Sequence, residues 1–124
     1  MELSILKFST YKKRIIKDMK AVGTYKPEFL QTINELAKML EDMDKARGEF
    51  EADGSRIIVE HTNKNGSTNL AKNPLYLAME GMQARILAYH KELGLTPTGL
   101  KKIKGDDLNS GSKNELVEVL SRFG

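Results

Sequence analysis

The chain has 124 residues, which suits one domain with a modest core and excludes a two-lobed enzyme that encloses its substrate. It contains no cysteine, which excludes disulfides, zinc–thiolate sites and cysteine nucleophiles, and its two histidines leave little for metal chemistry. The formal net charge is +3 and no apolar run approaches the ~20 residues of a membrane span, so we expect a soluble intracellular protein.

Charge is distributed unevenly along the chain. Residues 1–26 carry seven basic side chains against two acidic ones, a net charge of +5, whereas residues 27–60 carry four against nine, a net charge of −5. The remaining residues contribute +3. A basic head before an acidic stretch predicts either a polyanion contact at one end or complementary packing between neighbouring copies of the chain.

The stretch STYKKRIIKDMKAVG predicts a basic amphipathic helix over residues 11–22. Ser9 or Thr10 can cap its start, and Gly23 can follow its end. Its apolar stripe is formed by Ile15, Ile16 and Met19. The other faces are either a solvated lysine surface or a contact for DNA phosphates. The candidate DNA-binding residues are Lys12, Lys13, Arg14, Lys17 and Lys20.

A second helix of about six turns is predicted after Pro27, which suits a first helical position. Gly54 suits the left-handed position that ends it. Apolar residues recur along it at steps of 4, 3, 4 and 3, which places them on one helix face: Phe29, Ile33, Leu36, Leu40 and Met43. The opposite face is predicted to be acidic, through Glu35, Glu41, Asp42 and Asp44.

A short β-hairpin is predicted at about residues 56–71. The β-branched run from Ile57 to Val59 favours a strand, and Asn65-Gly66 favours a two-residue turn before a weaker return strand. Because a lone hairpin is marginal in water, we expect it to pack on the helices or to pair with another chain.

A third helix is predicted from the stretch NPLYLAMEGMQARILAYHKEL, with Asn73 as N-cap and Pro74 at the first position. Its apolar residues step by 4, 3, 4, 3 and 4: Leu75, Met79, Met82, Ile86, Tyr89 and Leu93. Two matched seams around a β-hairpin predict a mainly α fold, in which residues 27–104 form a long antiparallel helical hairpin flanked by short terminal helices. The predicted core and oligomer residues are Ile33, Leu36, Leu40, Met43, Met79, Met82, Ile86 and Tyr89.

The stretch ELGLTPTGLKKI predicts a sharp corner. Gly94 suits the left-handed position after the third helix, Thr96 can cap a short fourth helix, and Pro97 suits its first position. Residues 105–124 then predict a flexible linker and an amphipathic C-terminal helix, which is too short to be stable alone. We expect this helix to dock on a partner or back on its own domain through Leu116, Val117, Leu120 and Phe123.

The corner also fits a helix-turn-helix motif, in which one helix enters the DNA major groove. Against that interpretation, His90 is bulky where the helices would cross, and Gly99 lowers the helix propensity of the second helix. His61 with Asn65 and Asn73 faintly resembles a His-Asn-His nuclease, but its further metal ligands are not evident. No phosphate-binding loop or nucleophile motif occurs, so we expect no enzyme activity, no cofactor and no metal.

Taken together, the order of four stretches resembles the P27-like family of phage terminase small subunits: YKPEFLQTINELAKMLEDMDKA, NKNG, AKNPLYLAM and ELGLTPTGLKKI. The resemblance covers residues 24–103, and Asn73-Pro74 and the run from Leu93 to Pro97 carry most of it. The family usually continues with a small residue, serine and arginine, whereas this chain continues with Thr98-Gly99-Leu100.

The resemblance implies a subunit that helps to package viral DNA. It would assemble into a ring in the host cytoplasm, bind the packaging start site of double-stranded phage DNA, and bring in the large subunit, which holds the ATPase and the nuclease. The basic helix would contact phosphates, and the acidic faces would meet basic faces of neighbouring copies. The large subunit would dock on Leu116, Leu120 and Phe123. The alternatives are a phage helix-turn-helix transcriptional regulator and a helical adaptor that binds no DNA.

Overall fold

The computed structural model describes the backbone of residues 2–110 and the side chains of residues 7–105. In chain order the elements are α1 (Glu2–Val22), a 3-10 turn (Pro27–Phe29), α2 (Leu30–Ala52), β1 (Ile58–Thr62), β2 (Thr68–Lys72), α3 (Pro74–Glu92) and α4 (Pro97–Ser110). α1 and α3 both pack against α2, and α4 packs against α3. The prediction of a mainly helical fold with a β-hairpin between two long helices is confirmed.

α1 begins earlier than the sequence predicts. Its first residue is Glu2, so Ser9 and Thr10 lie inside the helix and the prediction that one of them caps it is wrong. The physical reason is the apolar stripe, which continues backwards from Ile15 at helical spacing. Tyr11 and Phe8 both pack against the core, so burial favours helix well before residue 11.

α2 is buried over a wider face than the predicted seam, because it has a helix on each side. Ile33 and Leu36 of the seam are fully buried, and so are Ala37 and Glu41, which lie outside it. The main core cluster joins α1 and α2 to the end of α3 through Ile15, Met19, Ile33, Leu36, Ala37 and Leu93. Four more seam residues are half-buried against it, namely Phe29, Leu40, Ile86 and Tyr89.

A second cluster lies between α2 and α3, near the hairpin, and is formed by Ala46, Phe50 and Met79. The Phe50 and Tyr76 rings contribute an aromatic contact, with 5.7 Å between their centroids. Met43 and Met82 are half-buried against this cluster. The predicted seam residues therefore pack inside a single chain.

The β-hairpin is antiparallel, with Thr62 opposite Thr68. Its turn is longer than the predicted two residues. The Gly66 N–H donates to the Asn63 carbonyl oxygen, the Asn63 N–H donates to the Ser67 carbonyl oxygen, and Gly66 has a φ of +85°. Residues 64–66 thus form a three-residue loop whose last residue needs the left-handed conformation, so glycine is required one place later than in a two-residue turn.

The strands of the hairpin are exposed. Of their ten residues only Val59 is half-buried, and Leu70 is 76% exposed. At its base the hairpin is joined to α3 through Asn73, whose backbone N–H donates to the Ile57 carbonyl oxygen and whose side chain donates to that of Arg56. The expected packing of the strands on the helices is therefore absent over most of their length.

α4 begins at Pro97, as predicted, and continues to Ser110. Residues 105–110 are therefore helical, whereas the sequence predicts that the linker starts there. The predicted C-terminal docking residues lie outside the described residues; they are Leu116, Leu120 and Phe123.

Candidate nucleic-acid interface

α1 carries a line of exposed lysines on the side opposite its buried face. Lys13, Lys17 and Lys20 follow one another at steps of 4 and 3, so they share one face of the helix. All three are exposed, whereas Ile15 and Met19 on the other face are buried. Among the side chains of residues 7–105, none of the three lysines forms an ion pair with a carboxylate. We call them the lysine stripe.

The other two predicted DNA-binding residues lie beside the lysine stripe. Lys12 is half-buried, and Arg14 is exposed with its guanidinium 5.8 Å from the centre of the Tyr11 ring. Lys20, within the stripe, lies 5.1 Å from the centre of the Tyr25 ring. These distances suit cation–π contacts, which favour one orientation of a side chain while leaving its charge accessible.

Glu41, an acidic residue of α2, is buried between α1 and α2 and does not neutralise the lysine stripe. Its side chain is buried, and one carboxylate oxygen accepts a hydrogen bond from the Phe8 backbone N–H of α1 at 3.1 Å. The other oxygen lies 2.7 Å from Lys38 Nζ and 3.8 Å from Lys45 Nζ. The bond from Lys38 lowers the pKa of the Glu41 carboxyl, although burial raises it. Glu41 therefore acts as an ionised anchor between α1 and α2.

The predicted acidic outer face is for this reason partly wrong. Glu41 points into the protein, and Asp44 accepts a hydrogen bond from the Tyr11 hydroxyl of the same chain. Asp42 lies 3.4 Å from Lys38. Glu35 accepts a hydrogen bond from the Tyr89 hydroxyl, so all four predicted acidic residues form contacts within the chain, and two of them, Glu41 and Asp44, contact α1.

The corner between α3 and α4 is held against the end of α1. The Thr24 hydroxyl, just after α1, is buried and donates to the Leu93 carbonyl oxygen at 2.9 Å. Gly94 has a φ of +73°, and a Cβ on it would lie 2.8 Å from the Thr24 methyl carbon. The Thr96 hydroxyl then accepts from the Gly99 N–H and caps α4. The corner between α3 and α4 therefore lies against the end of α1.

Gly99 allows α3 and α4 to approach each other closely, which its low helix propensity gave no reason to expect. A Cβ at this position would overlap the backbone carbonyl of Lys91 and lie 2.9 Å from the Lys91 Cα. α3 and α4 therefore cross closely at Gly99, and not at His90, which is half-buried. His90 and Gly99 are therefore both compatible with a helix-turn-helix arrangement of α3 and α4. α4 also exposes a second basic group, formed by Lys101, Lys102 and Lys104.

The three residues considered for a nuclease site lie on a strand, in the hairpin turn and at the start of α3. His61 is exposed on β1 opposite Asn69, and the Asn65 side chain accepts from the Ser67 N–H within the turn. Asn73 accepts from the Leu75 N–H as the N-cap of α3. Within the described part of the chain, no group of three or more His, Cys, Asp or Glu residues is arranged to hold a metal ion.

The sequence did not predict the roles of three residues of this region, which are Thr24, Glu41 and Gly99. Each acts through a partner far away in sequence or on another helix, so no local pattern distinguishes it. The sequence gives only a weak indication that Glu41 is buried: it lies one helical turn after the small residue Ala37, beside the apolar face of the helix.

Comparison with known proteins identifies a family. The family described as "Phage terminase, small subunit" matches residues 12–108, which include the lysine stripe, the hairpin and the corner. No curated protein and no solved structure matches the chain. No helix within the described residues combines the length and hydropathy that a membrane crossing requires. A match over most of the chain, on a fold of the expected class, shows that the protein belongs to the phage terminase small subunit family.

Proposed function

We propose that the protein binds the packaging start site of phage DNA in the host cytoplasm and recruits the large ATPase–nuclease subunit there, as a member of the P27-like group. The observation that carries this proposal is the lysine stripe. Three exposed cations on one helix face, unpaired among the described side chains, form a surface suited to a polyanion.

The stripe has dimensions that suit a DNA backbone. Lys13 and Lys20 are seven residues apart, which is about 10 Å along a helix and corresponds to about three base-pair rises along the axis of a duplex. Lysine side chains at this spacing contact phosphates whatever the base sequence, so they position the protein and do not select a site. Selection of the packaging start site is assigned to another surface.

A helix-turn-helix reader is the second proposal, and the close crossing of α3 and α4 at Gly99 favours it. In this arrangement α4 would enter the major groove and its exposed lysines would lie near the DNA. A phage transcriptional regulator, the alternative function, would use the same surface of α4. The family match favours packaging over regulation.

We also propose that several copies assemble into a ring, which needs contact surfaces that are exposed on the single chain. Ile33, Leu36 and Met79 are buried within one chain, so contacts between copies must use other residues. Four large apolar side chains of the described residues are about half exposed or more, and we assign them to the contacts between copies: Ile58, Leu70, Leu77 and Leu87. The large subunit is assigned to the C-terminal segment with Leu116, Leu120 and Phe123, which lies outside the described residues.

Two variants with equal charge test the DNA-binding surface. The first changes Lys13, Lys17 and Lys20 to glutamine, and the second changes Lys101, Lys102 and Lys104 to glutamine. Each removes three positive charges and keeps the first two of the four methylene groups of every lysine, so a general charge effect would be the same in both. The measurement is affinity for double-stranded DNA as a function of salt concentration.

We expect the α1 variant to lose affinity at low salt, with the slope of log K against log[salt] lower by up to about 3. The α4 variant should lose less at random DNA and more at the packaging site if α4 reads bases. Unchanged binding by the α1 variant, with α-helical circular dichroism preserved, would contradict the assignment of the stripe.

A further inference from the structure

A groove of about 740 Å³ lies between α1 and the corner of α3 and α4. Its floor is apolar and is formed by Ile15, Leu40, Leu95 and Leu100. Arg14 and Asp18 lie on the α1 side, and His90 lies on the α3 side. An apolar floor with one charge of each sign at its rim suits the apolar face of a short amphipathic helix.

The rim charges remain available to such a helix. Among the described side chains, neither Arg14 nor Asp18 forms an ion pair. Burial lowers the pKa of His90, although the nearby Asp18 raises it, so His90 is mainly neutral at neutral pH. The fixed charges that face an occupant are therefore one guanidinium and one carboxylate.

The chain carries one segment with the matching pattern, residues 114–123. Its apolar residues fall at helical spacing on one side, namely Leu116, Val117, Leu120 and Phe123. Glu115 and Arg122 lie seven residues apart on one side of such a helix, so Glu115 can face Arg14 while Arg122 faces Asp18. The segment thus complements the groove in hydropathy and in both signs of charge.

The segment is also close enough to return to the groove. Leu100, which lines the groove, lies ten residues before Ser110, the last residue of α4 that the structure describes, or about 15 Å along the helix. From Ser110 to Leu116 the chain has six residues, which span up to about 20 Å when extended. A connection of that length allows the segment to run back beside α4 in the same chain.

We propose that residues 114–123 dock as a helix in the groove between α1 and the corner of their own chain. Burial of their apolar face supplies the stability that so short a helix lacks alone. In one respect this rests on the proposed function, because the same segment is assigned to the large subunit. The groove and the large subunit then compete for it, and the free protein holds the segment back.

Crosslinking tests the docking directly, since the natural chain has no cysteine and two introduced ones are the only thiols. The test pair is Ala21→Cys, which is exposed and lines the groove, with Ser121→Cys. The control pair is Ala78→Cys, which is exposed on α3 away from the groove, with the same Ser121→Cys. A short thiol-specific bismaleimide is added to the full-length chain alone, and intrachain and interchain products are separated by denaturing electrophoresis.

We expect the intrachain product of the test pair to form about ten-fold faster than that of the control pair, because docking raises the effective concentration of the two thiols. Adding Leu120→Asp to the test pair should reduce its rate to that of the control. Equal rates for the two pairs, or a product mainly between chains, would overturn the proposal. Neither DNA nor the large subunit is present, so this failure is distinct from failure of DNA binding by the lysine stripe.

Discussion

The Gly99→Ala variant is expected to lose about 2–3 kcal/mol of unfolding free energy. A Cβ there would overlap the Lys91 carbonyl group, and this neighbour is helix backbone, which cannot move aside as a flexible side chain can. The helix propensity of alanine offsets only about 1 kcal/mol of the overlap. Urea-induced unfolding, followed by circular dichroism, measures the difference.

Gly48→Ala is the matched control for that variant. Gly48 is also inside a helix, but a Cβ on it would meet no atom within 4 Å. The same substitution should therefore raise the unfolding free energy by about 0.5–1 kcal/mol. If Gly99→Ala were as stable as Gly48→Ala, the close crossing of α3 and α4 would be refuted, and with it the position of the groove and of the α4 lysines.

Met79→Asp is expected to cost about 4 kcal/mol or more, a large part of the ~5–15 kcal/mol that usually stabilises a domain. Met79 is 4% exposed and belongs to the cluster with Ala46 and Phe50. Aspartate would remove these apolar contacts and bury a charge without a partner. We expect most of this variant to be unfolded at room temperature by circular dichroism.

Leu77→Asp provides the comparison, since it makes the same kind of change two residues earlier on α3. Leu77 is 49% exposed, and an acidic residue in the first turns of a helix is favourable. The folded chain should tolerate this change within about 0.5 kcal/mol. If both substitutions lowered the unfolding free energy equally, α3 would not bury the face that carries the predicted seam.

The sequence is most informative where the signals are local. The steps of 4 and 3 predict α2 and α3, and the N-cap Asn73 before Pro74 predicts the start of α3 within a residue. The corner is similarly predictable, because a left-handed Gly94 and the capping Thr96 act within four residues of chain. In these cases the physics that forms the structure involves neighbours in sequence.

Contacts between distant residues limit the prediction. Glu41 reads as a surface acid until α1 is placed over it, and its partner, the Phe8 N–H, lies 33 residues away. Gly99 reads as a weak helix former until Lys91 of the preceding helix is placed against it. The hairpin turn differs for another reason, because Asn65-Gly66 fits both a two-residue and a three-residue loop and only the register decides.

The lysine stripe is intermediate between these cases. Its residue types and spacing are evident in the sequence, but whether the acidic residues of α2 neutralise it depends on how the helices pack. In the structure Glu41 and Asp44 are taken up by contacts on the buried side of α1, and the stripe faces away from them. The stripe is therefore accessible to a polyanion, and the polyanion contact itself stays a prediction.

We propose that this family member acts on packaging DNA as an assembly of several chains. The decisive measurement is the absolute mass of the purified full-length protein in solution, by light scattering after size-exclusion chromatography. We expect a mass of many chains that stays constant on dilution, as a closed ring requires. A mass of one or two chains would contradict the ring, and a stable dimer would favour the transcriptional regulator.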